Sequence, residues 1–418
     1  MYPNEYLDLL DNNFLIFSEI FIFNILIYYI IYKKSIDSIL DPIVLGLATS
    51  VVSTTTILLF FFVKQIENLY FYSYYLNELF FMLGSISFGR KGINLKNTYI
   101  NLCTKKEFNF IVFNNLLTAI FILSSLLYIF NIEQLPIFSQ ESRLIIFQRL
   151  GLLTWILDVV WIALPISIII KRNILNLRSN FDYILILLAL FFVITKGGKT
   201  DILFIIYSFF IYSVIFRDDK VNKLLNYFVI LIPVTAIFST FIILNVWEND
   251  TPLFSYIYNR ILTTGDSLFM GYVSDYLQSI RSVDIVEYFF GGIRERLLGL
   301  YGINVPERFI FGFNLWGYYY PDSFGVGPNA RTNIIGFIMF GPYLSAIFAY
   351  IVGFLFSLSR SYIKFYKDPT ITNVIIYCLI SVYSLYFFID PSLAVAYIIK
   401  IIIVITPIAF VASIRIRK

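Results

Sequence analysis

Residues 150–172 read LGLLTWILDVVWIALPISIIIKR, and the fold follows from what such a stretch can do in water. From Leu150 to Ile170 one ionisable side chain, Asp158, interrupts the apolar run, and Lys171 and Arg172 close it. A helix needs about 17–25 apolar residues to cross the hydrocarbon core of a bilayer, and this run is long enough. The basic residues at its end mark the side that stays in the cytoplasm.

The same pattern recurs along the chain. Apolar runs of spanning length lie near 14–32, 43–63, 70–89, 110–130, 150–170, 224–245, 333–358 and 396–413, with shorter ones at 181–195, 201–216 and 374–389. These predict an all-α polytopic membrane protein with eleven transmembrane helices. With 59% hydrophobic and 14% charged residues, and a mean hydropathy of +0.80, a soluble protein of this length could not hide its apolar surface. No internal repeat, linker or low-complexity segment divides the chain, so residues 1–418 read as one integral membrane domain. The start, Met1 to Asn13, is acidic and lacks a basic region, so the first apolar segment reads as a start-transfer helix rather than a cleavable signal.

Orientation comes from the loops. The connections 33–42, 90–109, 171–180, 217–223 and 359–373, together with the C-terminal tail, hold 19 of the 31 Lys and Arg, and these short basic loops belong in the cytoplasm. The N-terminus is then outside and the C-terminus inside. The opposite face carries 64–69, 131–149, 196–200, 390–395 and one long loop, 246–332. That loop holds Arg260, Arg281, Arg294, Arg296, Arg308 and Arg331. A long loop can be translocated despite its charge. A concentration of arginine on the outer face points to an anionic ligand. The competing reading pairs these arginines with lipid head groups or with Asp266, Asp275, Asp284, Glu287 and Glu295 of the same loop.

Within the loop, Arg260 and Asp266 fall within two helical turns, and Ser279 to Leu300 has helical apolar spacing. The end, Gly325 to Arg331, runs Gly-Val-Gly-Pro-Asn-Ala-Arg directly before the next span. Glycine-rich backbone beside a helix start can offer N–H groups to an anion, and an arginine adds a bidentate fork. Apart from Lys64, the other outer cations lie in two segments. In 131–149, Pro136 breaks the emerging helix and Arg143 follows, either as a ligand contact or as a lipid-phosphate partner. The hairpin Thr-Lys-Gly-Gly-Lys-Thr-Asp at 195–201 lacks the earlier glycine and the βα unit of a phosphate-binding loop, so a nucleotide site is excluded. Its glycines turn the chain tightly, and Lys199 faces the outer vestibule.

Charges inside spans default to functional candidates. Glu19 and Glu78 lie near segment ends or polar neighbours, whereas Asp158 and Lys400 sit deeper and read as proton- or ion-coupling residues, weighed against structural pairing and snorkelling. The chain has no histidine, which removes histidine bases and disfavours zinc. Cys103 and Cys378 read as inert and unpaired.

With these residues in place, the chain resembles the oligosaccharide repeat-unit polymerases of the Wzy (O-antigen polymerase) family. The likeness lies in many spans with one dominant late outer loop. It also lies in Leu135-Pro136-Ile137-Phe138 followed by Arg143, in Asn259-Arg260 with Gly265-Asp266, and in Gly327-Pro328-Asn329 through Gly336 and Phe340-Gly341. Where such polymerases often carry an arginine-serine pair, this chain has Lys199-Thr200. The resemblance implies a GT-C-like fold and a metal-independent glycosyltransferase in the bacterial inner membrane, with no cofactor and no nucleic-acid partner. Its substrates would be undecaprenyl-diphosphate-linked oligosaccharides, joined at the outer face for O-antigen, capsule or exopolysaccharide, with a chain-length regulator as partner. It implies Arg260 and Arg331 as catalytic cations, Asp266 as proton acceptor, and Arg143, Lys199, Arg281 and Asn329 as diphosphate or glycan contacts, with no metal site. The alternatives are a lipid-linked oligosaccharide flippase, which should show repeated halves, and an O-antigen ligase, which relies on a loop histidine.

Overall fold

The computed structural model describes residues 2–88, 96–139, 146–147, 149–196, 199–217, 221, 223, 225, 227, 237, 265–273, 277, 284–299, 303, 310–319, 329, 331–366 and 369–414. Of these, 84% are helical and none is in a strand, so the fold is all-α. In chain order, the first helices are α1 Tyr2–Asn12, α2 Phe14–Tyr32, α3 Pro42–Phe62, α4 Asn68–Ser85 and α5 Lys96–Asn131. Then come α6 Leu153–Asn173, α7 Phe181–Thr195, α8 Lys199–Phe216, α9 Asp266–Tyr272, α10 Ile285–Gly299 and α11 Phe311–Tyr319. The last are α12 Thr332–Ser359, α13 Ile371–Tyr383, α14 Tyr386–Ile389 and α15 Pro391–Ser413.

Among the described residues, seven stretches are long and apolar enough to cross a membrane: α2, α3, Asn109–Asn131 of α5, α6, α12, Ile371–Ile389 and α15. Helices α7 and α8 are apolar but shorter. The expected run at 70–89 is α4, whose centre carries Glu78. The expected span at 224–245 lies outside the described residues apart from Leu225, Tyr227 and Ile237. The basic segment 96–109, read from sequence as a loop, continues α5 as helix. It contains neither Pro nor Gly, so nothing in it stops the helix.

By packing, the chain forms two interleaved compact units: 1–90 with 251–360 and 384–396, and 91–250 with 361–383 and 397–418. The interleaving explains why no linker marks a boundary in the sequence.

In the first unit, α4 and α12 approach to backbone contact at Gly84 and Gly353. A Cβ on Gly84 would fall 2.3 Å from the Tyr350 carbonyl oxygen, and one on Gly353 would fall 2.3 Å from that of Phe81. Paired glycines are how membrane helices close without a hydrophobic driving force between them. The contact continues through Asn77, which donates to Ser345 Oγ at 3.0 Å, and through Ser357, whose hydroxyl accepts from the Phe88 amide at 2.7 Å. At one end of the unit, Arg360 pairs with the fully buried Asp41 at 2.7 Å, and Asp41 also caps α3 by accepting from the Ile43 amide.

Helix α12 is not the single rod that the run 333–358 suggests. Gly341 has φ 76° and ψ −175°, followed by Pro342. A Cβ on Gly336 would lie 3.1 Å from the Phe348 ring and 3.2 Å from Ser345 Cβ. In a continuous helix Gly336 and Ser345 would be separated by about 13 Å along the axis, at about 1.5 Å per residue. The chain therefore reverses at Gly341. A short limb, 332–340, lies beside a long limb, 342–359, and at about 13 Å the short limb alone cannot cross a bilayer core of ~30 Å.

In the second unit α6 is the hub, buried along most of its length from Thr154 to Ile170. Trp161 donates to Ser125 Oγ at 3.0 Å and stacks on Phe192 at 5.4 Å. Ser167 donates to Asn114 Oδ1 at 2.8 Å, and Asp182 draws in both Lys171 and Arg172 from the end of α6.

Candidate functional site

The short limb of α12 begins inside the first unit. Arg331 is its N-cap, in extended backbone with no side-chain cap, and is 4% exposed. The guanidinium donates from Nη1 to the Thr49 carbonyl at 3.1 Å and from Nη2 to Ser50 Oγ at 3.0 Å. Its Nε has no hydrogen-bond partner among the described residues. The contact at Ser50 falls about 12 Å along α3 from its Pro42 end, so the arginine that sequence places at the loop's edge is held well inside the bundle. Backbone N–H groups at a helix start carry partial positive charge, so guanidinium and helix terminus reinforce each other.

Tyr272, the last residue of α9, adds a second donor. It is buried, its hydroxyl is likewise unpartnered among the described residues, and its ring lies 5.4 Å from Tyr70, 6.3 Å from Phe337 and 6.4 Å from Tyr74. Burial raises its phenol, with Tyr70 adding to the rise and the Arg331 guanidinium opposing it. Tyr272 is thus a neutral O–H donor within electrostatic reach of Arg331. Helix α9 starts at Asp266, where Gly265 is so tightly placed that a Cβ would fall 2.5 Å from Tyr6 Oη and 2.7 Å from Thr56 Oγ1.

A carboxylate also meets the short limb, at Asn333. Glu78, in the middle of α4, is 5% exposed. Its Oε1 accepts from Tyr28 Oη at 2.6 Å and its Oε2 from Asn333 Nδ2 at 3.3 Å. Tyr28, Thr54 and Tyr74 continue the hydroxyl chain at 2.8 and 3.2 Å. No described cation lies within ion-pair distance of Glu78, and Tyr74 stands within electrostatic reach of both Glu78 and Arg331. A buried carboxylate with hydroxyl and amide partners but no ion pair is costly to keep in a membrane.

The second unit holds its own charged cluster. Asp158 accepts from Lys196 at 2.7 Å on Oδ1 and from Lys400 at 2.8 Å on Oδ2, and Lys196 also reaches Asp201 at 3.2 Å. Tyr383 Oη donates to the Asp158 carbonyl at 2.7 Å, and Lys400 lies over the Tyr397 ring. These ion pairs tie α6, α7, α8 and α15 together.

Of the residues the sequence singles out, Arg331 is buried at the start of α12, Asp266 opens α9, Lys199 opens α8, and Asn329 is exposed. Arg143, Arg260 and Arg281 lie outside the described residues. Arg294 pairs with Glu287 at 2.9 Å on the surface of α10, as the intraloop reading expects. Sequence reading missed Tyr272 and the partners of Glu78. The stripe Asn24, Tyr28, Tyr32 at four-residue spacing on an apolar helix was the available signal for the latter. Comparison with known protein families, curated proteins and solved structures gives no match.

Proposed function

We propose that the chain is a membrane glycosyltransferase that polymerises undecaprenyl-diphosphate-linked oligosaccharide repeat units at the outer face of the bacterial inner membrane. The observation that supports this reading is that two buried donors within electrostatic reach of each other, Arg331 Nε at the start of a half-helix and Tyr272 Oη at the end of α9, have no hydrogen-bond partner among the described residues. A diphosphate supplies the acceptor oxygens and the negative charge that such a place favours.

In the reaction, the hydroxyl oxygen of the acceptor's non-reducing sugar bonds to the anomeric carbon of the donor glycan. The bond from that carbon to the lipid diphosphate breaks, and its electron pair leaves with the diphosphate. Donors aimed at the leaving oxygens lower the barrier because they act where charge develops. Arginine does this without a metal, being always charged and shaped for phosphate. Arg331 fills that role with Arg260, while Arg143, Lys199, Arg281 and Asn329 contact diphosphate or glycan. The acceptor proton passes to a carboxylate, for which Asp266 stands in the loop.

The reading is tested by the surface-glycan profile of a deletion strain. Loss of long chains with a single repeat retained supports a polymerase. Loss of every repeat points instead to a flippase or a ligase.

A further inference from the structure

Helix α10 in the long loop is amphipathic in an unexpected sense. Val286, Phe290, Ile293 and Leu297 follow the i, i+4, i+7, i+11 spacing of one helix face. Val286 is 62%, Phe290 46% and Leu297 41% exposed, with Ile293 half-buried, so most of this apolar stripe points away from the protein. The opposite face carries Tyr288, 7% exposed, and Gly291, both turned toward the protein. A helix bathed in water arranges these faces the other way round.

Two contacts fix where the stripe lies. Tyr288 Oη donates to Asp390 Oδ1 at 2.7 Å, and Asp390 also accepts from the Ser392 amide at 3.0 Å, at the start of the candidate span α15. Phe289 meets Phe348 on the long limb of α12 at 6.3 Å. That limb exposes Tyr343, Leu344, Ile347 and Ile351, the surface a spanning helix turns to lipid. The apolar stripe of α10 thus lies beside a lipid-facing surface and at the mouth of a span. At about 100° per residue, Arg294 and Arg296 flank the stripe about 80° to either side. Cations beside an apolar stripe are how an in-plane helix meets phosphates while its apolar face enters the acyl boundary.

We propose that α10 lies on the membrane surface as an in-plane helix, with Val286, Phe290, Ile293 and Leu297 in contact with the acyl chains of the leaflet at which α15 begins. This holds whether or not the chain is a glycosyltransferase, because it rests only on the helix faces and their neighbours.

The test is nitroxide scanning of residues 286–297 in the full-length protein, with Cys103 and Cys378 replaced by serine and alanine. The protein is reconstituted in phosphatidylethanolamine–phosphatidylglycerol vesicles. Collisions with oxygen, which partitions into acyl chains, are compared with collisions with a water-soluble nickel chelate. The expected result is oxygen accessibility several-fold above nickel accessibility at the four stripe positions, oscillating with the helical repeat and reversed at Glu287. Nickel-dominated collisions at the stripe would place it in water and overturn the proposal. Labels immobilised and shielded from both reagents would show a protein occupant, with dipolar broadening identifying a second copy, and would overturn it equally.

Discussion

Arg331 and Arg294 are separated by a few dozen residues and do different work. Arg294 is 44% exposed and its pair with Glu287 is a surface ion pair on one helix. Such pairs are worth about 0.2–1 kcal/mol, so Arg294→Lys should leave both abundance and the glycan ladder unchanged. Arg331 is desolvated, and its two contacts are a carbonyl and a hydroxyl rather than a carboxylate. Its charge is therefore not neutralised by a salt bridge among the described residues, which makes it available to a ligand. Glu78 is the matching case on the acid side. The sequence marks Arg331 by its glycine-rich approach, whereas Glu78, close to polar neighbours in the chain, does not stand out in it. It could not reveal that Asn333 and Tyr74 stand between them, because these contacts join positions far apart in the chain.

At the scale of elements, the break in α12 does most to shape the site. Hydropathy counts composition and is blind to a reversal, so 333–358 reads as one span. The local sequence Gly341-Pro342 was the cue, since proline disrupts helical hydrogen bonding and glycine alone accepts the backbone observed there. The region near φ 76°, ψ −175° is essentially restricted to glycine, and other residues pay about 1–3 kcal/mol to occupy it. Gly341→Ala should therefore lower the apparent melting temperature in detergent and reduce polymer length. An unchanged melting temperature would show that the hairpin does not depend on this residue. Capping and turn chemistry elsewhere were readable, as at Pro136, where a short 3-10 turn follows the end of α5.

For the whole molecule, apolar run length predicts most of the helices to within a few residues because a membrane allows few alternatives to a helix. The packing of those helices is governed by glycine contacts and polar stripes, which leave a weaker trace in sequence. Orientation rests on the alternation of basic loops. A cysteine at Asn180 should be labelled only from the cytoplasmic side, and one at Ser282 only from outside. Labelling of both from one side would contradict the assigned topology and the outer-face chemistry with it.

The most direct test of the central claim is Arg331→Lys as the only copy in the cell, with Arg294→Lys as control and protein level measured by blot. Lysine keeps the charge but loses the planar fork, so the transition-state contact should weaken by about 2.7–4 kcal/mol, or roughly 100- to 1000-fold in rate. The expected result is a collapsed polymer ladder with the single-repeat glycan retained, at wild-type abundance. A normal ladder from Arg331→Lys at that abundance would contradict it.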